Sequence, residues 1–217
     1  MRLSRGIQFA SVVVIAVLLN ACAVGNKYSL SDIKADFKGA PSNVKTVALS
    51  ASDQREVVKS GECAPTYVGM QRGGFGNPFR VNTESGLPLA DDLTNAVSES
   101  LSKKGFKAMP VYTKVADDSS RVLELLKGQN GDRSLLFVIS KWESDTYMNI
   151  GLDYEIELTV YDKQMAKLAS SSVRENRSIT GSAWNPPEAA RREVPLAFKR
   201  ALENLLNAPN ILKALQD

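Results

Sequence analysis

The chain has no histidine and only two cysteines, Cys22 and Cys63. Without histidine it lacks the commonest general base near neutral pH, every Ser-His or Cys-His nucleophile pair and most zinc-site designs. That speaks against an enzyme, and no metal or other cofactor is expected. An excess of one charge sign is also lacking: the net charge is only +3, of which Arg2 and Arg5 at the extreme N-terminus contribute two, so no nucleic-acid partner is implied. Nor is the apolar run Phe9 to Leu19 long enough to span a bilayer. It covers eleven residues, against the roughly 17–25 of a transmembrane helix.

What that run can be is a secretion signal. Arg2 and Arg5 with no acid make a positive leader, Phe9 to Leu19 the hydrophobic region, and Leu19-Asn20-Ala21-Cys22 the processing site. The last four residues look like a bacterial lipobox, with small Ala21 before the cut and Cys22 as the residue that takes the diacylglyceryl group. The alternative is an ordinary signal cleaved after Ala21 or Ala23, with Cys22 incidental. In lipoproteins of this kind inner-membrane retention usually goes with Asp after the cysteine. Ala23 stands there instead, which implies the outer membrane, with the domain facing the periplasm. With Cys22 acylated, Cys63 has no intrachain partner, and is either a small buried hydrophobe or a thiol that pairs with another chain.

Of the 217 residues, 1–21 are expected to be the signal, 22–42 a lipidated N-terminus and flexible tether, and 43–217 one α/β domain. Gly25, Asn26, Ser29, Ser31, Gly39, Pro41 and Ser42 interrupt the arm, which at about 3.3–3.6 Å per residue could hold the domain roughly 65 Å from the membrane. Val44 to Leu49 reads as a first strand. Leu87 to Lys104 reads as a helix with Leu89, Leu93, Val97 and Leu101 inward and Gly105 as its stop. Phe106 to Tyr112 reads as an edge strand broken by Pro110, and residues 118 to 127 as a short helix. Leu135 to Ile139, apolar at successive positions, reads as a central strand covered on both faces. Leu152, Tyr154, Ile156, Leu158 and Val160 alternate with polar residues, and Met165 to Thr180 returns as the other arm of a long hairpin. A helix from about Glu188 to Leu206, kinked or split at Pro195, and a short helix from Pro209 close the chain. The fold class is α/β, α+β-like: a mixed sheet with a long antiparallel hairpin and helices packed on it.

Two features invite functional readings. Residues from about Ser60 to Gly86 show no secondary-structure signal, and connections this long are usually functional or disordered. Their core, Arg72-Gly73-Gly74-Phe75-Gly76-Asn77-Pro78, fails both phosphate-loop spacings. It is either a set of glycine turns or a partner-binding segment in which Arg72, Gly73, Gly74, Phe75, Gly76 and Phe79 make the contacts, alongside Tyr67 and Arg80. Glu155 and Glu157, two apart on one strand, could form a catalytic carboxylate pair or a solvated acidic face matched by Arg174 or Arg177.

Asp53-Gln54-Arg55 after the first strand, Leu101-x-x-x-Gly105-Phe106, Asn149 to Tyr154 leading into the hairpin, and Asn210-Ile211-Leu212-Lys213 after the closing helix together resemble the YajG-type bacterial lipoproteins. The resemblance covers most of the mature chain, implies an envelope lipoprotein with a small α/β domain, and brings no catalytic residues. The expected function is a lipid-anchored, non-catalytic binding or scaffolding module for an envelope or peptidoglycan-associated partner. The alternative is a glycan-cleaving enzyme using paired carboxylates alone.

Overall fold

A computed structural model describes residues 26–180 and 185–217. The signal segment and Cys22 lie outside the described residues. The elements are arranged around one long strand, β6, Arg133–Thr146. In its first half Leu135, Phe137 and Ile139 enter the main core, while Leu136 and Val138 enter a smaller cluster on the opposite face. Two covered faces are why apolar residues follow one another there. A register shift between Ile139 and Lys141 then reverses the alternation, so that Trp142, Ser144 and Thr146 become the buried set.

Strand β2, Thr46–Asp53, lies parallel on one edge of that first half, from Val47 opposite Arg133 to Asp53 opposite Ile139. Strand β5, Lys107–Pro110, pairs with β2's outer edge and takes the peripheral place its proline demands. Along β6's other edge run β7, Ile150–Tyr161, and then β8, Lys167–Ile179, both antiparallel. The expected hairpin is therefore present. Among the described residues the sheet has eight strands of mixed direction.

Helix α2, Leu89–Lys103, buries Leu89, Leu93, Val97 and Leu101 at the expected spacing of four. Helix α3, Ser119–Lys127, opens on Asp118, whose carboxylate accepts from Arg121 N at 2.8 Å, and packs Val122 and Leu126 on the smaller cluster. It follows the single turn α1, Glu56–Lys59, and α2 in chain order. Helix α4, Pro186–Leu206, runs unbroken through Pro195 instead of splitting there. Val194, Phe198, Ala201, Leu202 and Leu205 are all buried, and that packing holds the axis where one backbone donor is missing. Helix α5, Pro209–Ala214, ends the chain.

Two expectations fail. Residues 26–42, assigned to the tether, are laid against the domain. Lys27–Tyr28 form β1, and Tyr28, Leu30, Ala35 and Phe37 are buried, an alternation hidden in the sequence by the intervening Ser, Asp and Lys residues. The backbone of this arm is satisfied by side chains of the helices: Ala35 N donates to Ser100 Oγ, and Lys38 N to Asn207 Oδ1. Phe37 meets Phe106 with ring centroids 5.8 Å apart. The ordered domain therefore includes residue 26, not only 43 onward.

The second failure is the segment from Ser60 to Gly86, read as lacking secondary structure. It contains β3, Tyr67–Arg72, and β4, Pro78–Thr83, an antiparallel hairpin. Strand β3 pairs in parallel with the last residues of β6, Met70 opposite Asp145 and Gln71 opposite Thr146, while β1 runs parallel to β4.

Candidate functional site

The β3–β4 hairpin carries every residue singled out for recognition, and the structure separates their roles. Arg72 ends β3 and grips Asp145 of β6 through Nε to Oδ1 at 3.0 Å and Nη2 to Oδ2 at 2.6 Å, a two-point pair that pins the hairpin to the sheet. Gly73 N donates to Asn77 O, and Gly76 N to Gly73 O, both at 2.8 Å. Gly76 has a φ of 82°, the left-handed region that suits glycine. Gly74 has open space around it. Phe79 is half-buried and lies over Gly73, at 3.0 Å from where a β-carbon would stand. Phe75, at the tip, is 99% exposed. The turn closes through its own backbone and presents one aromatic ring to solvent. Tyr67 is buried at the root; burial, followed by the neighbouring Glu143 charge, pushes its phenol up.

A second pair of exposed side chains stands beside this tip. The parallel register of β3 with β6 places the β6–β7 turn next to Arg72 and Gly73, and in that turn Met148 is 71% and Tyr147 45% exposed. Sequence reading passed over both. The signal was a bulky pair in a three-residue connection between strands, where small polar residues are usual.

Arg55 was noticed only as part of a motif, and it is a structural keystone. It is buried at 2% exposure in the notch where β2 leaves the edge of β6 and β3 joins it. Its Nε and Nη2 donate to Asp53 Oδ1 and Oδ2 at 2.8 and 2.7 Å, and Nη1 to Tyr67 O at 2.6 Å and Trp142 O at 3.4 Å. An arginine fork suits this place because it caps carbonyls from strands that cannot reach each other. A small recess of about 210 Å³ opens over it.

The outer face of β6, β7 and β8 is polar. Glu143, Asp145, Asp153, Asn176 and Arg177 line an open depression of about 370 Å³. Its carboxylates are engaged: Asp153 by Lys141 at 2.5 Å and by Asn176 at 2.9 Å, and Asp145 by Arg72. Glu155 lies opposite Arg174 and Glu157 near Lys167, at 3.9 and 4.0 Å. The pair so placed is the solvated acidic face of a hairpin. Among the described residues no group of three or more His, Cys, Asp or Glu could hold a metal, and no helix is long and apolar enough to cross a membrane. Cys63 is buried with a free thiol. Asp92, fully buried in the first turn of α2, is pushed up to about 6 by loss of solvent, and accepts from Ser85 Oγ at 2.8 and 3.0 Å.

Fold and site thus define a single mixed α/β domain with a projecting hairpin. No family model and no curated protein sequence matches the chain. Its structural neighbours include a Xanthomonas campestris protein of family DUF330 (12% identity, 84% of this chain and 91% of that one covered, TM-score 0.44). They also include the PelC dodecamer of Paraburkholderia phytofirmans (11%, 84% and 93%, TM-score 0.44) and lipoprotein GNA1162 of Neisseria meningitidis (12%, 72% and 99%, TM-score 0.31). Likeness at this level transfers neither residues nor activity.

Proposed function

We propose that the chain is an outer-membrane lipoprotein of the periplasm, anchored through Cys22, that works as a non-catalytic binding or scaffolding module. Its recognition element is the β3–β4 hairpin with Arg72, Gly73, Gly74, Phe75, Gly76 and Phe79. The observation that carries this reading is Phe75 at 99% exposure on a hairpin whose root is fixed in the core. A fully hydrated aromatic ring on a rigid support contributes nothing to folding, whereas desolvated against another surface it would contribute about 2–3 kcal/mol. The turn's glycines leave the ring accessible, and the Arg72–Asp145 pair keeps its base from moving.

The anchor follows from Leu19-x-Ala21-Cys22 at the end of the leader, and several acyl chains at about 0.8 kcal/mol per buried methylene hold a protein stably. The test is fatty-acid labelling with envelope fractionation. Label and outer-membrane recovery are expected for the wild-type chain and neither for Cys22→Ser. A labelled Cys22→Ser protein, or an unlabelled wild type, overturns the reading.

A further inference from the structure

The strand register fixes where the N-terminus leaves the domain. Strand β1 runs parallel to β4, with Lys27 opposite Asn82 and Tyr28 opposite Thr83, and β4 runs away from the hairpin tip. Going backward from Lys27 therefore means going toward Pro78 and the tip. Asn26 is fixed there: its Nδ2 donates to Pro187 O at 3.0 Å, and Arg191 Nε donates to its Oδ1 at 2.9 Å.

From Asn26 to Cys22 is four residues, which extended reach at most about 14 Å. By the same register Asn26 is level with Val81, and four residues back along the hairpin from Val81 is Asn77, about 13 Å of strand. A chain attached at Cys22 thus brings the Cys22 backbone no farther out than about the level of Asn77. Phe75 lies in the turn beyond that level, and the β6–β7 turn with Tyr147 and Met148 stands alongside. The anchor cannot reach the hydrocarbon unless this end of the domain comes to the headgroups with it.

The side chains suit that position. Phe75 and Met148 are the two most exposed large hydrophobic residues among those described, at 99% and 71%, and Tyr147 supplies the amphipathic ring that favours membrane interfaces. Lys27 and Arg80, both exposed and neither in an ion pair among the described residues, lie on the same strand pair. Cations behind an apolar tip, Arg80 two residues from Pro78 and Lys27 farther back opposite Asn82, suit a segment that settles about 5–10 Å into the headgroup boundary. We infer that the tip formed by Phe75, Tyr147 and Met148 rests in the headgroup layer of the bilayer that holds the Cys22 lipid, so that the hairpin's partner is the membrane surface itself. This rests on the lipoprotein reading above.

The experiment uses the full acylated chain carrying Cys63→Ser and one further substitution, Phe75→Cys, Met148→Cys or Lys163→Cys, each labelled with a fluorophore. The proteins are reconstituted in phosphatidylethanolamine–phosphatidylglycerol vesicles with or without nitroxide-headgroup lipid. Position 163 lies in the turn at the other end of β7, about 36 Å away at strand spacing. Quenching of about twofold or more is expected at 75 and 148, and none at 163, because the nitroxide acts only within the interfacial layer. An unquenched position 75 on an acylated chain overturns this inference alone, as does equal quenching at 163. So does an emission change at 75 that needs only added unlabelled protein and no vesicles, since that would make a second copy the occupant. Mass measurement on the same sample records the acyl chains, and their absence overturns the lipoprotein reading and this inference with it.

Discussion

At the Tyr161 end of the β6–β7 ladder the chain closes on itself. Asp162 Oδ1 accepts from Gln164 N at 2.9 Å and Ala166 N at 2.8 Å, Met165 takes the left-handed bend at a φ of 65°, and Asn210 of α5 donates to Ser170 O of β8 at 2.7 Å. Close by, Asp132 accepts from Thr46 N and Lys45 N at 2.9 and 3.0 Å, which holds its carboxyl down at about 2. At the opposite end the turns 73–77 and 147–149 are closed by backbone bonds, and Phe75 and Met148 face solvent. Polar side chains are satisfied at the Tyr161 end, where Leu168 is left 44% exposed, while the two most exposed large apolar residues among those described, Phe75 and Met148, stand at the other. Both ends are built of strand and hydrogen-bonded turn. The Phe75 end is the one at which the proposed membrane contact is placed.

The division is sharpest at the notch filled by Arg55, which joins the half of β6 paired with β2 to the half paired with β3. Arg55→Ala would leave Asp53 as a buried carboxylate without its partner, together with the Tyr67 and Trp142 carbonyls. A loss of about 3–5 kcal/mol in urea-unfolding free energy is expected. A loss below about 1 kcal/mol would mean that the two ends are not joined there.

Gly69→Ala should break one end and spare the other. Gly69 has a φ of 156°, and a β-carbon there would overlap Ser144 Oγ and come within 2.5 Å of Ser144 O, a backbone atom that cannot step aside. The expected cost is about 2–3 kcal/mol. Amide exchange should speed up at Met70 to Arg72 while Leu135 to Ile139 keep their protection. Equal loss at both ends would make the ladder one cooperative unit and remove the contrast.

A smaller effect concerns the root of the hairpin, where Asp92 receives Ser85, two residues beyond β4. Burial raises its carboxyl from an ordinary value near 3.8 to about 6. A group whose folded value is raised contributes most stability below the unfolded value, and loses that contribution as pH climbs through about 6. Asp92→Asn should therefore gain stability relative to wild type between pH 4 and pH 8. The gain should be on the order of 1 kcal/mol and at most about 3. A difference that does not change with pH would rule out burial of the charge as the cause.

The Tyr161 end was the more legible in the sequence. Leu135 to Ile139 announced a strand covered on both faces, and Leu152 to Val160 a strand with one solvated face, because apolar periodicity reports directly on burial. The other end was illegible for the reason that makes it distinctive. Ser140 to Thr146 reads as polar because its inward positions after the register shift include Ser144 and Thr146, and outward ones are Lys141, Glu143 and Asp145. The apolar positions Tyr67, Val68, Phe79 and Val81 were masked by five glycines between residues 60 and 80. Residues 26–37 were missed because their backbone bonds go to β4 at Asn26 to Tyr28 and to Ser100 and Glu203 side chains at Ala35 and Asp36, which no local pattern shows. The proposed recognition residues all fall on the β3–β4 hairpin. Their separation into a pinned base at Arg72, a packed Phe79 and a displayed Phe75 needed the hairpin.

The smallest expected change in stability is also the one that bears most on function. Phe75→Ala removes a ring with no packing to lose, so unfolding should shift by less than about 0.5 kcal/mol. Adding Arg72→Ala removes a half-exposed ion pair and should cost no more than about 1 kcal/mol further. The informative measurement is tryptic cleavage after Arg72 and Arg80 in the acylated protein on vesicles, compared with the same protein in detergent. If the tip rests on the bilayer, the wild-type hairpin is cut more slowly on vesicles, and Phe75→Ala with Met148→Ala brings the rate toward that in detergent while melting stays unchanged. If instead Phe75→Ala lowers the melting temperature and leaves protection intact, the ring is a packing residue after all. The two ends of the ladder would then differ only in which polar groups they satisfy.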